Sequence, residues 1–415
     1  MLWARFVDGY EVLNTIDVLA ERQTPQTRKT GLGGMFQKRA INFNVTDLGY
    51  GGTQHRETIS TEFGHYWVDA KRGKVFELLP GAKGSSEIST SMSKWFKEQL
   101  PFKILKKFPD VNIDNPYNGL GIAMGWDDLT KRVFITKLDY LPIDDEVKWS
   151  KEDGFYISTY NEEREEVRVE VKVTDENYFK SVSWTVAYSP LLKLWISYYS
   201  FIPFYYISLN DHFKTGLNIL GDDRHGIWSH YPLQSSYQVY YGTLYPFIVE
   251  YALKNNGSMS TIDSIEYLLD VKKYYNKFDF SNVFGKGFNK AYIYNDKHNT
   301  GELLLKVHNK DDMSQQIEYP KYYLTNTEVL SYQNNDFWAL NYLYNNVRDD
   351  RNRLPIWLND EVDVMKNINY PAMDFDGSDK DRLRGDYFLV RLIQDTESRN
   401  RMVFRFNTNS RNYYE

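Results

Sequence analysis

The stretch HYWVDAKRGKVFEL, residues 65 to 78, sets His65, Trp67 and Asp69 close together, with Glu62 just upstream. A carboxylate and an imidazole beside a large aromatic ring could be poised for chemistry. The strongest enzymatic option is glycoside hydrolysis, which needs paired carboxyl groups flanking one bond. Glu62, Asp69, Asp127 and Asp128 are the obvious donors. Asp69 and Asp127, however, open turns in a pattern that recurs, where a side-chain acceptor is already needed to cap the turn. Catalytic carboxylates need not repeat, whereas turn caps do.

Other constellations are weaker. In DFDGSDKD, Asp374, Asp376, Asp379 and Asp381 surround Gly377, and an oxygen-rich loop with a tight glycine turn can chelate calcium. The spacing is not that of an EF-hand, the terminal Glu is missing, and Lys380 and Arg382 intrude, so a solvated turn is favoured over a calcium loop. Asp222, His225 and His230 form the tightest histidine grouping, without the H-E-x-x-H spacing of a zinc site. The glycines of GLGGMF (31 to 36), GYGG (49 to 52) and GLGIAMG (119 to 125) match neither phosphate-loop pattern and read as turns or close backbone approaches. No G-x-S-x-G elbow anchors a hydrolase triad. Cysteine is absent, which removes disulfides, zinc-thiolate sites and thiol catalysis. Catalytic, cofactor-binding and metal-binding residues are therefore all assigned as none, no cofactor is expected, and the chain reads as a non-enzyme.

The elements around Asp69 account for it better than chemistry does. MGWDDLTKRVFITK (124 to 137) repeats the grammar of the first stretch, with Asp127 and Val133 spaced like Asp69 and Val75. In SWTVAYSPLLKLWISYY (183 to 199), Ser189 and Trp195 keep that spacing. Looser versions stand at 227 to 241, 291 to 305 and 392 to 406. Each predicts a β-hairpin with a capped turn and apolar flanks, Tyr66, Trp67, Val75 and Phe76 in the first copy. An isolated hairpin cannot bury its aromatic face, and stacked hairpins are the logic of a propeller. An irregular all-β protein with ordinary hairpins is the alternative.

Further segments agree. VRVEVKV (167 to 173) alternates as a strand with one buried face, and SIEYLLDV (264 to 271) fits a strand better than a helix. LWISYYSFIPFYYISL (194 to 209) is too short and too polar to span a membrane as a helix and reads as strand, turn at Pro203, strand. One helix is predicted over 86 to 100, with Ile88, Met92, Trp95, Phe96 and Leu100 on one face and Pro101 stopping it. The expected fold is all-β, mainly antiparallel, a propeller-like array of hairpins with a few peripheral helices. A soft boundary near Asn256 separates a hairpin-repeat region, 1 to 255, from a continuing β region with exposed loops, 256 to 415.

At 415 residues the chain can bury a large core, and aromatic residues make up 16% of it, which favours pleated, half-buried surfaces. The same rings suit wet subunit interfaces and sugar-binding surfaces. A formal net charge of −6 without a basic run disfavours duplex nucleic acid and anionic membranes as partners. No secretory signal follows Met1.

A long co-linear series of segments carries one resemblance. DLGYGGTQHRETISTEFGHYWVDAKRGKVFEL (47 to 78), KWFKEQLPFKI (94 to 104), MGWDDLTKRVFITKLDY (124 to 140), SWTVAYSPLLKLWISYYSFIPFYYISLNDHFKTGLN (183 to 218), GIWSH with YQVYYGTLYPFIVEY (226 to 251) and FNKAYIYNDKHNTGELLL (288 to 305) resemble the tail stabilization or muzzle proteins of crAss-like bacteriophages. The resemblance implies a virion structural component at the distal end of a short tail, assembled in the host cytoplasm. It implies a homo-oligomeric ring around the DNA exit channel, in contact with other tail proteins, through which viral DNA passes without specific binding. It implies no membrane insertion, and a chain that corresponds to the C-terminal portion of a longer protein. The alternative expectation is a carbohydrate-binding or glycoside-hydrolysing propeller that acts on host surface glycan.

Overall fold

A computed structural model describes residues 2–6, 9–13, 41–45, 52–80, 85–160, 164–209, 212–219, 222–231, 236–254, 259–275, 279–308, 328–334, 337–341, 343–345, 382–405 and 410–413. The protein is mainly antiparallel β, as its high aromatic content favours. Its described residues form many small sheets and no closed barrel. The chain divides into two compact units between His230 and Tyr231. Asn256 lies outside the described residues, and the strands on either side of it belong to one sheet.

Unit 1 opens with three antiparallel strands, β1 (Leu2–Phe6), β2 (Gly9–Leu13) and β3 (Ile41–Val45). A four-stranded meander follows: β4 (Ile59–Ser60), β5 (His65–Asp69), β6 (Lys74–Leu78) and β7 (Ser86–Glu87). The one α-helix among the described residues, α1, runs over Ser93–Gln99, after a single 3-10 turn at Thr90–Met92. The helix predicted over 86 to 100 is thus half as long as its apolar pattern allowed. Ser89 is the reason: its Oγ accepts from Val75 N–H at 3.2 Å and donates to Glu87 at 2.8 Å, holding the segment before it against β6.

The centre of unit 1 is built from β8 (Gly121–Asp127) and β9 (Arg132–Leu138), then β10 (Tyr140–Pro142), β11 (Lys148–Ser150), β12 (Gly154–Tyr160), β13 (Glu166–Glu170) and β14 (Phe179–Ser181). β15 (Trp184–Ser189), β16 (Leu194–Tyr199), β17 (Tyr205–Leu209), β18 (His212–Leu217) and β19 (Gly226–Ser229) complete it. The turn near Pro203 and the strands around it fall where the sequence set them. β16, β15, β9 and β8 form one antiparallel sheet in that order. The second and third hairpin copies are therefore neighbours in a single sheet, with β10 to β14 looped out between them. What recurs is the turn, and the intervals between copies reflect that insertion.

This sheet is covered on both faces, which explains strands with almost no exposed residue. Ile122, Met124, Val133, Ile135, Val186 and Tyr188 face one core, shared with Phe96 of α1 and with Leu100, which follows it. Phe134 on the other face meets Tyr199, Phe201, Tyr206 and Phe213. Gly125 permits this layer, since a Cβ there would stand 2.5 Å from the Tyr206 ring. VRVEVKV departs from its expectation. Val171 and Val173 are buried, but Val167 and Val169 stand exposed on β13, the outer strand of a three-stranded sheet that reaches past the core.

Unit 2 has a short pair, β20 (Val239–Tyr240) and β21 (Thr243–Leu244), and one large sheet. That sheet comprises β22 (Phe247–Lys254), β23 (Ser260–Tyr274), β24 (Phe280–Asn282), β25 (Lys290–Tyr294), β26 (Leu303–His308) and β27 (Glu328–Asn334). β28 (Phe337–Asn341), β29 (Leu383–Gly385), β30 (Tyr387–Gln394), β31 (Arg401–Arg405) and β32 (Ser410–Tyr413) finish it. SIEYLLDV is a strand, and Ile265, Tyr267, Leu269 and Val271 are buried at period two within β23, which pairs with five other strands. Of the looser copies, 291 to 305 is a hairpin, capped by Asn295 on the N–H groups of Lys297 and His298 at 2.8 and 2.7 Å. The other two are not hairpins. β19 pairs β18 while β20 pairs β21, and β30 pairs β22 and β25 while β31 pairs β23. At 227 to 241 each strand pairs with its other neighbour in sequence, and at 392 to 406 with strands distant in sequence, choices that turn spacing does not encode.

Candidate interaction surface

The predicted chemical residues resolve into turn caps. Asp69 is buried and accepts from Arg72 N–H at 3.2 Å and Gln54 Nε2 at 3.1 Å, with the Arg72 guanidinium at 3.2 Å. Asp127 is buried and accepts from Leu129 N–H at 3.0 Å and Thr130 Oγ1 at 2.5 Å. Ser189 Oγ accepts from Leu192 N–H at 3.3 Å. Asp69 pairs with Lys74, Asp127 with Arg132 and Ser189 with Leu194, so each loop has four residues. The last loop residue is left-handed in all three: Gly73 at φ 66°, Lys131 at 52° and Lys193 at 53°. Only the first copy needs glycine, because α1 lies on it and a Cβ would meet Lys97 Cα at 2.6 Å.

The remaining candidates are held apart. Glu62 and Asp128 share one ammonium, Lys131 Nζ, at 2.7 Å each, so a cation fills the space between them. His65 Nδ1 bonds Ser60 Oγ at 2.7 Å. Asp222 is taken by Arg224, whose Nε stands 2.9 and 3.0 Å from its two oxygens, and this holds the carboxyl down to about 2. His230 meets Thr215 Oγ1 at 2.7 Å between Phe201 and Phe213, and burial lowers its pKa to about 4. Among the described residues no three His, Asp or Glu side chains converge as metal ligands. The Asp374 to Asp381 loop and the glycines at 31 to 36 lie outside the described residues.

One buried pair gave no sequence signal. Lys137 and Asp139 are both fully buried, and Lys137 Nζ donates to Asp139 Oδ2, Gln99 O and Pro101 O at 2.7, 2.8 and 2.8 Å. Asp139 also accepts from the N–H groups of Lys103 and Ile104. Burial lowers Lys137 to about 8, with Asp139 opposing. Every ammonium hydrogen is used, so the pair braces the chain after α1 against β9 and leaves no lone pair to offer a substrate.

An exposed edge remains. β16 ends its sheet among the described residues, and its LWISYY sequence carries no charge. Leu194, Ile196 and Tyr198 are 55%, 37% and 60% exposed. Ile196 is the extra residue of a bulge, since Ala187 pairs with Ser197 and Tyr188 with Trp195. The turn leading in is Pro190-Leu191-Leu192-Lys193, with Leu191 and Leu192 61% and 65% exposed. The equivalent turns are Ala70-Lys71-Arg72-Gly73 and Asp128-Leu129-Thr130-Lys131. Their shared backbone shows that the turn itself requires no leucine pair. Sheet edges are normally blunted by charge, as Glu166, Arg168 and Glu170 do on β13, and β16 lacks that protection. Behind this turn, Glu77 is buried opposite Tyr66 on the paired strand; burial raises its carboxyl, with Lys193 opposing, and burial and Glu77 push Tyr188 up to about 12.

The leucine turn could have been found by aligning the three copies, because two keep polar groups where the third places Leu192. Among the described residues no helix is long and apolar enough to cross a membrane. No protein-family model matches the chain, and no curated protein matches it.

Proposed function

We propose that the chain is a virion structural protein, a non-enzymatic subunit of the distal tail of a short-tailed bacteriophage, assembled into a homo-oligomeric ring around the DNA exit channel. The observation that carries this is the uncharged β16 edge with its exposed Leu191 and Leu192. Covering a leucine side chain fully is worth ~1.5–3 kcal/mol, so this edge favours a partner surface over water. In a ring, the edge of one copy meets a different surface of the next and the contact closes by rotation. Other tail proteins complete the collar, and its location is the virion tail after assembly in the host cytoplasm.

Three further features support this role. The segment series that resembles muzzle proteins runs from residue 47 to residue 305. A net charge of −6 suits a channel that must release an anionic polymer, because strong phosphate contacts would retard it. Hairpin sheets joined in short meanders are compatible with the propeller-like arrangement the role implies. Immunogold labelling of purified particles tests the reading. Label at the tail tip is expected, and particles that carry no label at the tail contradict it.

A further inference from the structure

Unit 2 carries an aromatic and cationic strip that its core does not use. Lys272 and Tyr274 share one face of β23 by strand period, with Arg401 of β31 opposite Lys272 and Phe280 of β24 opposite Tyr274. The Tyr274 and Phe280 rings stand 5.4 Å apart at 40°. Lys272 Nζ lies 4.6 Å from the Phe280 centroid, and the Arg401 guanidinium lies 6.0 Å from that of Tyr274. Tyr237 is close enough for Arg401 to oppose the rise that burial gives its hydroxyl pKa. Phe280 is 47% exposed, and Tyr237 and Arg401 are exposed as well.

The charge on this strip is selective. Asp270, two residues back on the same face, is held by Arg405 and lies 3.7 Å from Lys272. Arg401 has no ion pair with a described carboxylate; its NH1 reaches the Tyr274 hydroxyl at 3.5 Å. An acidic chain thus presents, beside two aromatic rings, an ammonium and a guanidinium that has no ion pair among the described residues. A guanidinium matches a carboxylate with two parallel hydrogen bonds, which an ammonium cannot do.

The ring geometry narrows the partner. With centroids at 5.4 Å and planes at 40°, Tyr274 and Phe280 leave no slot into which a nucleobase could slide. The exposed carbon surface of Phe280 beside Tyr274 suits the C–H groups of a sugar ring instead, with the Tyr237 and Tyr274 hydroxyls at hand for its hydroxyl groups. We infer that this strip binds the uronic-acid units of an acidic polysaccharide, sugar faces on Tyr274 and Phe280 and carboxylate on Arg401 and Lys272. The site is separate from the β16 edge and stands or falls independently of the assembly role.

The test is calorimetric titration of the full chain with polygalacturonate, dextran and an oligothymidylate at constant ionic strength. Saturable binding of polygalacturonate, with dextran unbound and the oligonucleotide weaker, is expected. Arg401→Gln and Phe280→Ala should each weaken polygalacturonate ~tenfold, about the worth of one desolvated cation–π or charge-assisted contact. Lys273→Gln, whose ammonium lies over Tyr275 on the opposite face, should leave affinity unchanged. Both tested side chains are exposed, so unchanged melting midpoints confirm folded variants. Absence of polygalacturonate binding, equal binding by wild type and both variants, or tighter binding of the oligonucleotide overturns the inference.

Discussion

Asp69 shows how a residue that looks chemical can be structural. Its carboxylate has two donors from Arg72 in the turn it closes, a third from Gln54 upstream, and no solvent exposure. Asp69→Ala should lower stability by about 0.5–2 kcal/mol in denaturant unfolding, as lost side-chain caps do, and Asp127→Ala should behave alike. His230 adds a pH dependence in the same unit. Its folded pKa of about 4 lies below the ordinary 6.5, so the unfolded chain binds more protons between those values. Stability from this group is present above pH 6.5 and is lost as pH falls towards 4, by at most about 3 kcal/mol. Urea unfolding from pH 7 to 4 should show that loss in the wild type and a flatter profile in His230→Gln. Glu77 has the opposite sign. Its raised folded pKa makes its contribution complete below the ordinary 4.5 and lost as pH rises through the folded value. Glu77→Gln should therefore raise the melting midpoint at pH 7 and leave it unchanged at pH 4.

At the scale of elements, the turns were legible and the burial of their strands only in part. Asp, Asn or Ser at a fixed distance from an apolar pair marks a capped turn because the cap is a local interaction, and Asp69, Asp127, Ser189 and Asn295 all serve as caps. Tyr66, Trp67, Val75 and Phe76 are buried as their pattern required. Turn spacing does not say which strand a segment will pair with, so it misled at 227 to 241, where each strand pairs with its other sequence neighbour, and at 392 to 406, where the partners are distant. Ser89 broke the predicted helix through hydrogen bonds to a strand distant in sequence, which helical periodicity cannot register. The Lys137–Asp139 brace was illegible for a related reason: two charges in an apolar run read as solvent-facing until the chain after α1 folds over them. Lys137→Ala should cost about 3–5 kcal/mol by stranding a buried carboxylate. Replacing both residues together, as Lys137→Met with Asp139→Leu, should recover part of that loss in thermal melts.

For the whole molecule, the informative residues are those that burial failed to absorb. Apolar sequence implies interior position in one direction only, and LWISYY was read as an ordinary strand although half of it faces water. Two surfaces stand out, an uncharged edge in unit 1 and a cationic aromatic strip in unit 2, and the proposed assembly rests on the first and the proposed polymer contact on the second. Assembly through β16 is the central claim. Sedimentation velocity of the full chain beside a Leu192→Asp, Ile196→Lys double variant tests it most directly. Both side chains are exposed, so the variant should melt within about 0.5 kcal/mol of wild type in stability. The account predicts a concentration-dependent oligomer for the wild type and a folded monomer for the variant; a wild-type chain that stays monomeric at every concentration, or two proteins that sediment alike, contradicts it.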